Sequence, residues 1–186
     1  MKKTITPAIF FLPLLAALFS LRMQAQALTA SDIKDQMIKD WERAKAYTID
    51  YLNTMPANKY SFKPVDSVRS FGQHMLHLAQ FNCGIVSAAT DDPVPAWVTS
   101  DPQHRMVSQN KDSVFYYVTA SYDFCINAIK QSDTNKWGEK KKIFGEFEET
   151  RFALMNKAFE HQTHHRGQTT VYIRLQGIIP PDERLF

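Results

Sequence analysis

The chain of 186 residues contains 22 Lys and Arg against 19 Asp and Glu, which gives a formal net charge of +3, and 44% of its residues are apolar. This ordinary globular composition excludes a disordered tail, a collagen-like repeat and a low-complexity linker, and the length predicts a single domain. With two Cys, the chain has neither a disulfide-dense scaffold nor a four-thiolate zinc site.

The first 27 residues have the layout of a secretory signal peptide. Two lysines precede an apolar run from Ala8 to Leu21, which is short for a membrane span, and small residues follow at Ala25 and Ala27. We therefore expect cleavage after Ala27 and export to the periplasm or the medium. The mature chain, residues 28–186, is not expected to insert stably into a membrane.

Cleavage of this segment would also remove the basic bias of the precursor. Residues 1–27 contain three basic and no acidic residues, so the remaining 159 residues would carry 19 charges of each sign. The sequence shows no cationic stripe with interleaved aromatic residues, and the basic run Lys140–Lys142 is interpreted as a solvated loop or helix face. We therefore expect no nucleic-acid partner.

Four amphipathic segments of the mature chain predict helices. The first follows a possible N-cap at Ser31 and ends at Pro56. The second follows Ser70, which has the S-x-x-Q pattern of a capping box with Gln73.

The third and fourth helices are predicted over about residues 111–131 and 149–176, with Gly177 as the residue that ends the last one. The connections between the helices are about 15 residues or longer, which allows them to cross the bundle. No alternating strand pattern competes with the helices. The sequence thus predicts an all-α fold, a four-helix bundle with long connecting loops.

Five of the six histidines fall into two clusters on these helices. The clusters are His74 and His77 on the second helix, and His161, His164 and His165 on the fourth. His161 and His165 are four residues apart, so both rings project from one helix face, at positions where a bundle core normally has Leu. Buried imidazoles need partners for their ring nitrogens, and either a metal ion or other hydrogen-bonding groups would satisfy them.

The third ligand of a metal site is open between His74 and His77. The periodicity of the second helix places His74 nearer the middle of the core side and His77 toward its flank. The pattern H-x-x-x-H formed by His161 and His165 lacks the Glu of the zincin motif, so no catalytic base is identified. Three imidazoles suit Zn, Ni, Cu or Fe.

Three stretches carry a resemblance to a known family: residues 70–79 at the start of the second helix, residues 161–168 in the fourth, and residues 172–177 after it. Through these motifs, residues 31–181 resemble the DinB superfamily of four-helix-bundle metalloproteins. The resemblance implies that His77, His161 and His165 bind a divalent transition metal, for which we expect zinc or nickel, and that the protein is a homodimer.

The predicted function is that of an exported metal-dependent hydrolase or transferase with an unidentified small-molecule substrate. The alternative is a non-catalytic helical bundle that binds a metal or another ligand. Family members with known chemistry include transferases and isomerases that use low-molecular-weight thiols, which are mainly cytoplasmic cosubstrates. The export signal therefore argues against a thiol-transferase role.

Further residues are predicted near the site: His74, His164, Gln168 and Tyr172. Gln168 and Tyr172 continue the histidine stripe. They either orient a water at the metal or contact a substrate, or they are a polar core residue and a tyrosine with only its hydroxyl in solvent. His164 is rotated off the stripe, at the pocket edge or in solvent. Arg166 could bind a substrate carboxylate or pair with an acidic residue of the first helix, and the ion pair is the favoured expectation.

The two cysteines, Cys83 and Cys125, are expected to remain inert thiols. Neither has a basic neighbour in a position to activate it as a nucleophile.

Overall fold

The computed structural model describes residues 27–106 and 109–186, so the predicted signal segment lies outside them except for Ala27. The helices in these residues are α1 (Ala30–Thr54), α2 (Phe71–Thr90), the short α3 (Ala96–Thr99), α4 (Lys111–Gln131) and α5 (Arg151–Leu175). The predicted all-α fold with four long helices is confirmed. None of these helices combines the length and the apolar character needed to span a bilayer.

The helix ends follow local capping chemistry. Ser70 and Gln73 form the predicted capping box at the start of α2, and Gly177 has a positive φ of 72° after the end of α5. The N-cap of α1 is Thr29 rather than Ser31. Thr29 and Asp32 bond each other reciprocally, which satisfies two backbone N–H groups, so the helix begins earlier than predicted.

The connection before α5 contains a β-hairpin that the sequence analysis did not predict. Strands β1 (Lys140–Ile143) and β2 (Phe147–Thr150) pair antiparallel, and Phe144 and Gly145 take positive φ in the loop between them. The basic run at residues 140–142 is therefore a strand, not a loop or helix face. Because residues 147–150 belong to β2, α5 begins at Arg151 and not at residue 149.

Helix α2 makes the most extensive contacts of the four long helices, and it packs against both α4 and α5. Residues on most of its circumference are buried, including Phe71, Met75, Leu78 and Val86. Helix α1 packs against α4 and, less extensively, against α5. The histidine-bearing helices α2 and α5 thus face each other inside a packed core, which is what a site built from both of them requires.

A polar layer joins α5 to α1 and α4 beside the histidines. The guanidinium of Arg166 donates to the side-chain oxygen of Gln162 at 2.7 Å and lies over the ring of Tyr47 at 4.6 Å. Tyr122 donates to the same Gln162 oxygen at 2.7 Å. The expected ion pair of Arg166 with an acidic residue is wrong for the described part of the chain, because a carbonyl oxygen and an aromatic face take the place of the carboxylate.

The two thiols behave as predicted from their surroundings. Cys83 and Cys125 are both free and buried, and the Cys125 thiol donates to the backbone oxygen of Asn82. Burial raises the pKa of Cys83 to about 12, so this thiol stays protonated at neutral pH. Both cysteines are therefore packing residues.

Two glycines of α2 provide a matched test of its packing. A Cβ at Gly72 would lie 3.2 Å from the backbone oxygen of Gln109 and 3.3 Å from that of Tyr60, whereas a Cβ at Gly84 would meet nothing within 4 Å. We expect Gly72→Ala to lower the free energy of unfolding by about 1–2 kcal/mol. Gly84→Ala should raise it by about 0.5–1 kcal/mol, because alanine is the better helix former. Urea titration of both variants would contradict this if they shifted in the same direction.

Candidate metal centre

Three histidines from α2 and α5 meet in the bundle. His77, His161 and His165 each offer a ring nitrogen, and these three atoms lie within 4.8 Å of one another. The ring centroids are 4.4 Å apart for His161 and His165, 4.6 Å for His77 and His165, and 5.2 Å for His77 and His161. The spacing of four on α5 aligns two rings, and the α2–α5 contact brings the third to them.

His161 has a buried ring nitrogen, Nδ1, that no described residue satisfies with a hydrogen bond. Its ring is stacked on Phe81 at 4.6 Å between centroids, with an angle of 20° between the planes. A buried nitrogen without a partner costs free energy, and a divalent metal bound at that nitrogen would remove the cost. The three residues therefore fit a metal ion.

His77 is oriented by a residue from the long connection between α2 and α4. Its Nδ1 lies 3.2 Å from the side-chain oxygen of Gln103, which belongs to a 3₁₀ turn over Pro102–His104. With Nδ1 donating its proton to that oxygen, Nε2 keeps its lone pair. A hydrogen bond of this kind fixes both the tautomer and the ring orientation of a metal-binding histidine.

The structure places His74 and His77 differently relative to the histidines of α5, a choice that the residue pattern left open. His77 joins the group with His161 and His165, as the family resemblance implied. His74 lies outside that group, and its Nδ1 is 3.2 Å from Nδ1 of His165. Both residues of α2 are buried, so burial does not distinguish them, but of the two only His77 has a ring nitrogen grouped with those of both His161 and His165.

The environment of these histidines keeps them neutral. Burial lowers the pKa of His74, His77 and His161 to about 4, with a further contribution from the charge of Arg69. Burial and the neighbouring rings lower the pKa of His165 to about 3. All four imidazoles therefore retain a free lone pair at neutral pH, the form that binds metals.

The other predicted residues line or border a cleft beside His165. His164 and Gln168 are exposed and lie along this cleft of about 660 Å³, together with His74 and His165. Tyr172 is buried and donates to the backbone oxygen of Arg69 at 2.8 Å. Gln168 is thus a cleft residue rather than part of the buried stripe, and Tyr172 anchors the start of α2.

The opposite side of the histidine group is aromatic. Phe81 contacts His77 and His161, with ring centroids 4.4 and 4.6 Å away, and Phe144 at the tip of the hairpin lies 5.9 Å from Phe81. Phe144 is itself largely exposed. The site therefore lies between a polar cleft and an apolar wall. Gln103, Phe81 and the hairpin were not identified as site components from the sequence.

Comparisons with known proteins agree with this architecture. A model of the DinB family matches residues 23–183. A DinB-like protein from Bacillus cereus ATCC 10987 has a similar structure, with a TM-score of 0.64 and 17% identity over 80% of this chain and 96% of the other. A DinB-like protein from Bacillus subtilis gives a TM-score of 0.57 and 18% identity over 81% and 96%. None of the curated proteins is significantly similar in sequence.

Proposed function

This chain belongs to the DinB family, and on that premise we propose that it is a metal-dependent hydrolase or transferase of a small molecule. In this proposal His77, His161 and His165 hold a divalent transition metal, zinc or nickel. The observation that carries it is the convergence of three neutral imidazoles on one point, with a buried nitrogen of His161 left without a partner. Three protein ligands leave coordination positions for a substrate, as in catalytic metal sites.

The protein groups around the site have distinct tasks under this proposal. A bound divalent ion would supply Lewis acidity that polarises a substrate oxygen. Gln103 and His74 hold the rings of His77 and His165 in place through their Nδ1 atoms. The cleft beside His165 gives access from solvent, and Phe81 packs against the rings of His77 and His161.

The proposal is tested by turnover of a substrate panel with metal-free and metal-loaded protein. We expect hydrolysis or group transfer with at least one ester, amide or activated-group substrate only after addition of zinc or nickel. His165→Ala should show no turnover with the same metal. Turnover that is equal without metal would contradict the proposal.

A non-catalytic bundle is the second candidate, and it is favoured by the absence of a Glu in the H-x-x-x-H pattern. The residues between His161 and His165 are Gln162, Thr163 and His164. Of these, Gln162 is engaged by Tyr122 and Arg166. Tight metal binding, a lower melting temperature after chelation and no turnover across the panel would support this candidate.

The hydrogen bond from His77 to Gln103 predicts a graded effect on metal affinity. Gln103→Leu removes the acceptor, so we expect about a tenfold weaker affinity for zinc. Gln103→Glu keeps an acceptor and adds negative charge, so its affinity should equal or exceed that of the wild type. Competition with a chromogenic chelator measures both, and His104→Ala, at the neighbouring position, is the control. Equal affinities of the Leu and Glu variants would contradict the assigned role.

Export and self-association complete the proposal. We propose that residues 1–27 direct the chain out of the cytoplasm and that the mature protein is a homodimer without stable membrane insertion or a nucleic-acid partner. Cell fractionation with and without residues 1–27 tests the first part, and sedimentation equilibrium of the mature chain tests the second. Retention of the full-length chain in the cytoplasm, or a monomer at micromolar concentration, would contradict these parts.

A further inference from the structure

The cleft beside His165 contains cationic side chains that the metal site does not use. Arg69 and Lys63 line it, together with the exposed ring of His164. Asp66 also lines it, so its permanently charged side chains are two cations and one anion. The cleft therefore has an excess of positive charge directly beside a predicted metal ligand.

The backbone of Arg69 is held by a hydrogen bond, whereas its side chain forms no ion pair within the described residues. Its backbone oxygen accepts a hydrogen bond from Tyr172, and the next residue, Ser70, is the N-cap of α2. The guanidinium, in contrast, makes no ion pair with any carboxylate of residues 27–106 and 109–186, although Asp66 lines the same cleft. The five N–H donors of this group are therefore available to a ligand.

Arg69 lines the same cleft as His74 and His165. Its backbone oxygen accepts a hydrogen bond from Tyr172, whose ring centroid lies 5.2 Å from that of His74. The charge of Arg69 contributes to the lowered pKa of His74, His77 and His161, and burial is the larger cause. A ligand group bound to Arg69 would thus lie in the cleft beside His165. One small molecule could contact both Arg69 and His165.

The start of α2 does not itself provide an anion site. The backbone N–H groups of Phe71 and Gly72 donate to the oxygens of Phe62 and Tyr60, and that of Gln73 donates to the Ser70 hydroxyl. The donors that a helix N-terminus usually offers to an anion are therefore already occupied. Any anion in this cleft must be bound by side chains.

We propose that Arg69, assisted by Lys63, binds an oxyanion group of the substrate, a carboxylate or a phosphate, while another part of the same molecule reaches the histidine site. The planar guanidinium fork matches both groups in a bidentate geometry. This assignment of a substrate class rests on the proposed metal-dependent function. Binding of the oxyanion to the cleft does not depend on the metal and is tested separately.

The first experiment uses metal-free protein, so that it tests the cleft alone. Inorganic phosphate and succinate are titrated in turn, and backbone amide shifts are followed by NMR. We expect saturable shifts near Arg69 and His164, and the tighter of the two anions identifies the oxyanion class. Arg69→Gln should weaken binding about tenfold or more. Equal dissociation constants for wild type and Arg69→Gln would overturn the proposal.

The second experiment uses zinc-loaded protein and two hydroxamic acids of equal length. N-hydroxysuccinamic acid and butyrohydroxamic acid share the metal-directed group and differ in a terminal carboxylate against a methyl group. We expect the carboxylate compound to bind at least about tenfold more tightly to the wild type. This preference should disappear in Arg69→Gln and be partly kept in Arg69→Lys.

Arg174→Gln is the matched control, because it removes an exposed arginine of α5 that does not line the cleft. It should keep both the anion affinity and the hydroxamate preference. If neither hydroxamate binds in a zinc-dependent way, the metal function fails while the phosphate and succinate titrations still decide the cleft. If both hydroxamates bind equally to zinc-loaded wild type, the oxyanion proposal is wrong and the metal function stands.

Discussion

Replacing His161 or His165 with alanine is expected to abolish stoichiometric zinc or nickel binding. Each variant leaves two imidazoles of the three that converge within 4.8 Å. Loss of a supporting residue around a metal site already costs tenfold to a hundredfold in affinity, so loss of a ligand should cost more than about a hundredfold. Elemental analysis of protein purified without an affinity tag, followed by chelator competition, measures the effect.

Two other histidines serve as controls for this expectation. His104 is exposed and pairs with Asp101 at 2.7 Å, and although it lines the cleft it is not part of the converging group. His164 is exposed beside His165 but is not part of the converging group. Alanine variants of both should keep one metal per chain. Full metal content in all three variants, His77→Ala, His161→Ala and His165→Ala, would show that the metal lies elsewhere. Where a variant loses metal, far-ultraviolet circular dichroism would show whether it is still folded.

The helices could be predicted from the sequence because their signals are local. The Ser70–Gln73 box, the glycine at 177 and the apolar periodicity each act within one or two turns. The hairpin could not be predicted because its strands have no such local pattern. Its strands are four residues each, and one carries three lysines, so neither has an apolar alternation. Two strands that are this short and this polar have no hydrophobic period from which their pairing could be predicted.

The choice between His74 and His77 shows the limit of periodicity. A helix with one buried face has one stripe, and its centre identifies the core. Helix α2 packs against both α4 and α5, so both histidines are buried and the stripe has no single centre. The resemblance to a family supplied the distinction, because it carries the position of α5 relative to α2, which periodicity within one helix does not contain.

Residues that support the site from a distance had no sequence signal. Gln103 reaches His77 from a polar stretch that reads as an irregular connection, and 26 residues separate the two. Arg69 is one of many exposed basic residues and differs from the others by where the start of α2 places it. Both become visible only when the tertiary contacts are known.

The neutral histidines link the metal site to the stability of the fold. An imidazole with an ordinary pKa near 6.5 when unfolded and about 4 when folded binds a proton more readily in the unfolded chain. The stability contributed by such a group is complete above pH 6.5 and decreases as the pH falls toward 4. The carboxyl of Asp91, whose pKa is lowered by Lys141 and Arg151, titrates below this window.

Metal-free protein is therefore expected to lose stability between pH 7 and pH 5, and metal-loaded protein is expected to lose less. Solvent reaches the rings through the cleft and reduces the effect of burial, so we expect a loss of about 2 kcal/mol in total at pH 5. A bound metal competes with protons for the same lone pairs and should hold the site neutral to lower pH. Urea unfolding at pH 8, 7, 6 and 5, with and without zinc, measures both. Since no such histidine titrates above pH 7, the free energy of unfolding should be the same at pH 7 and pH 8. If it also stayed constant down to pH 5, that result would contradict the neutral, buried state of these rings.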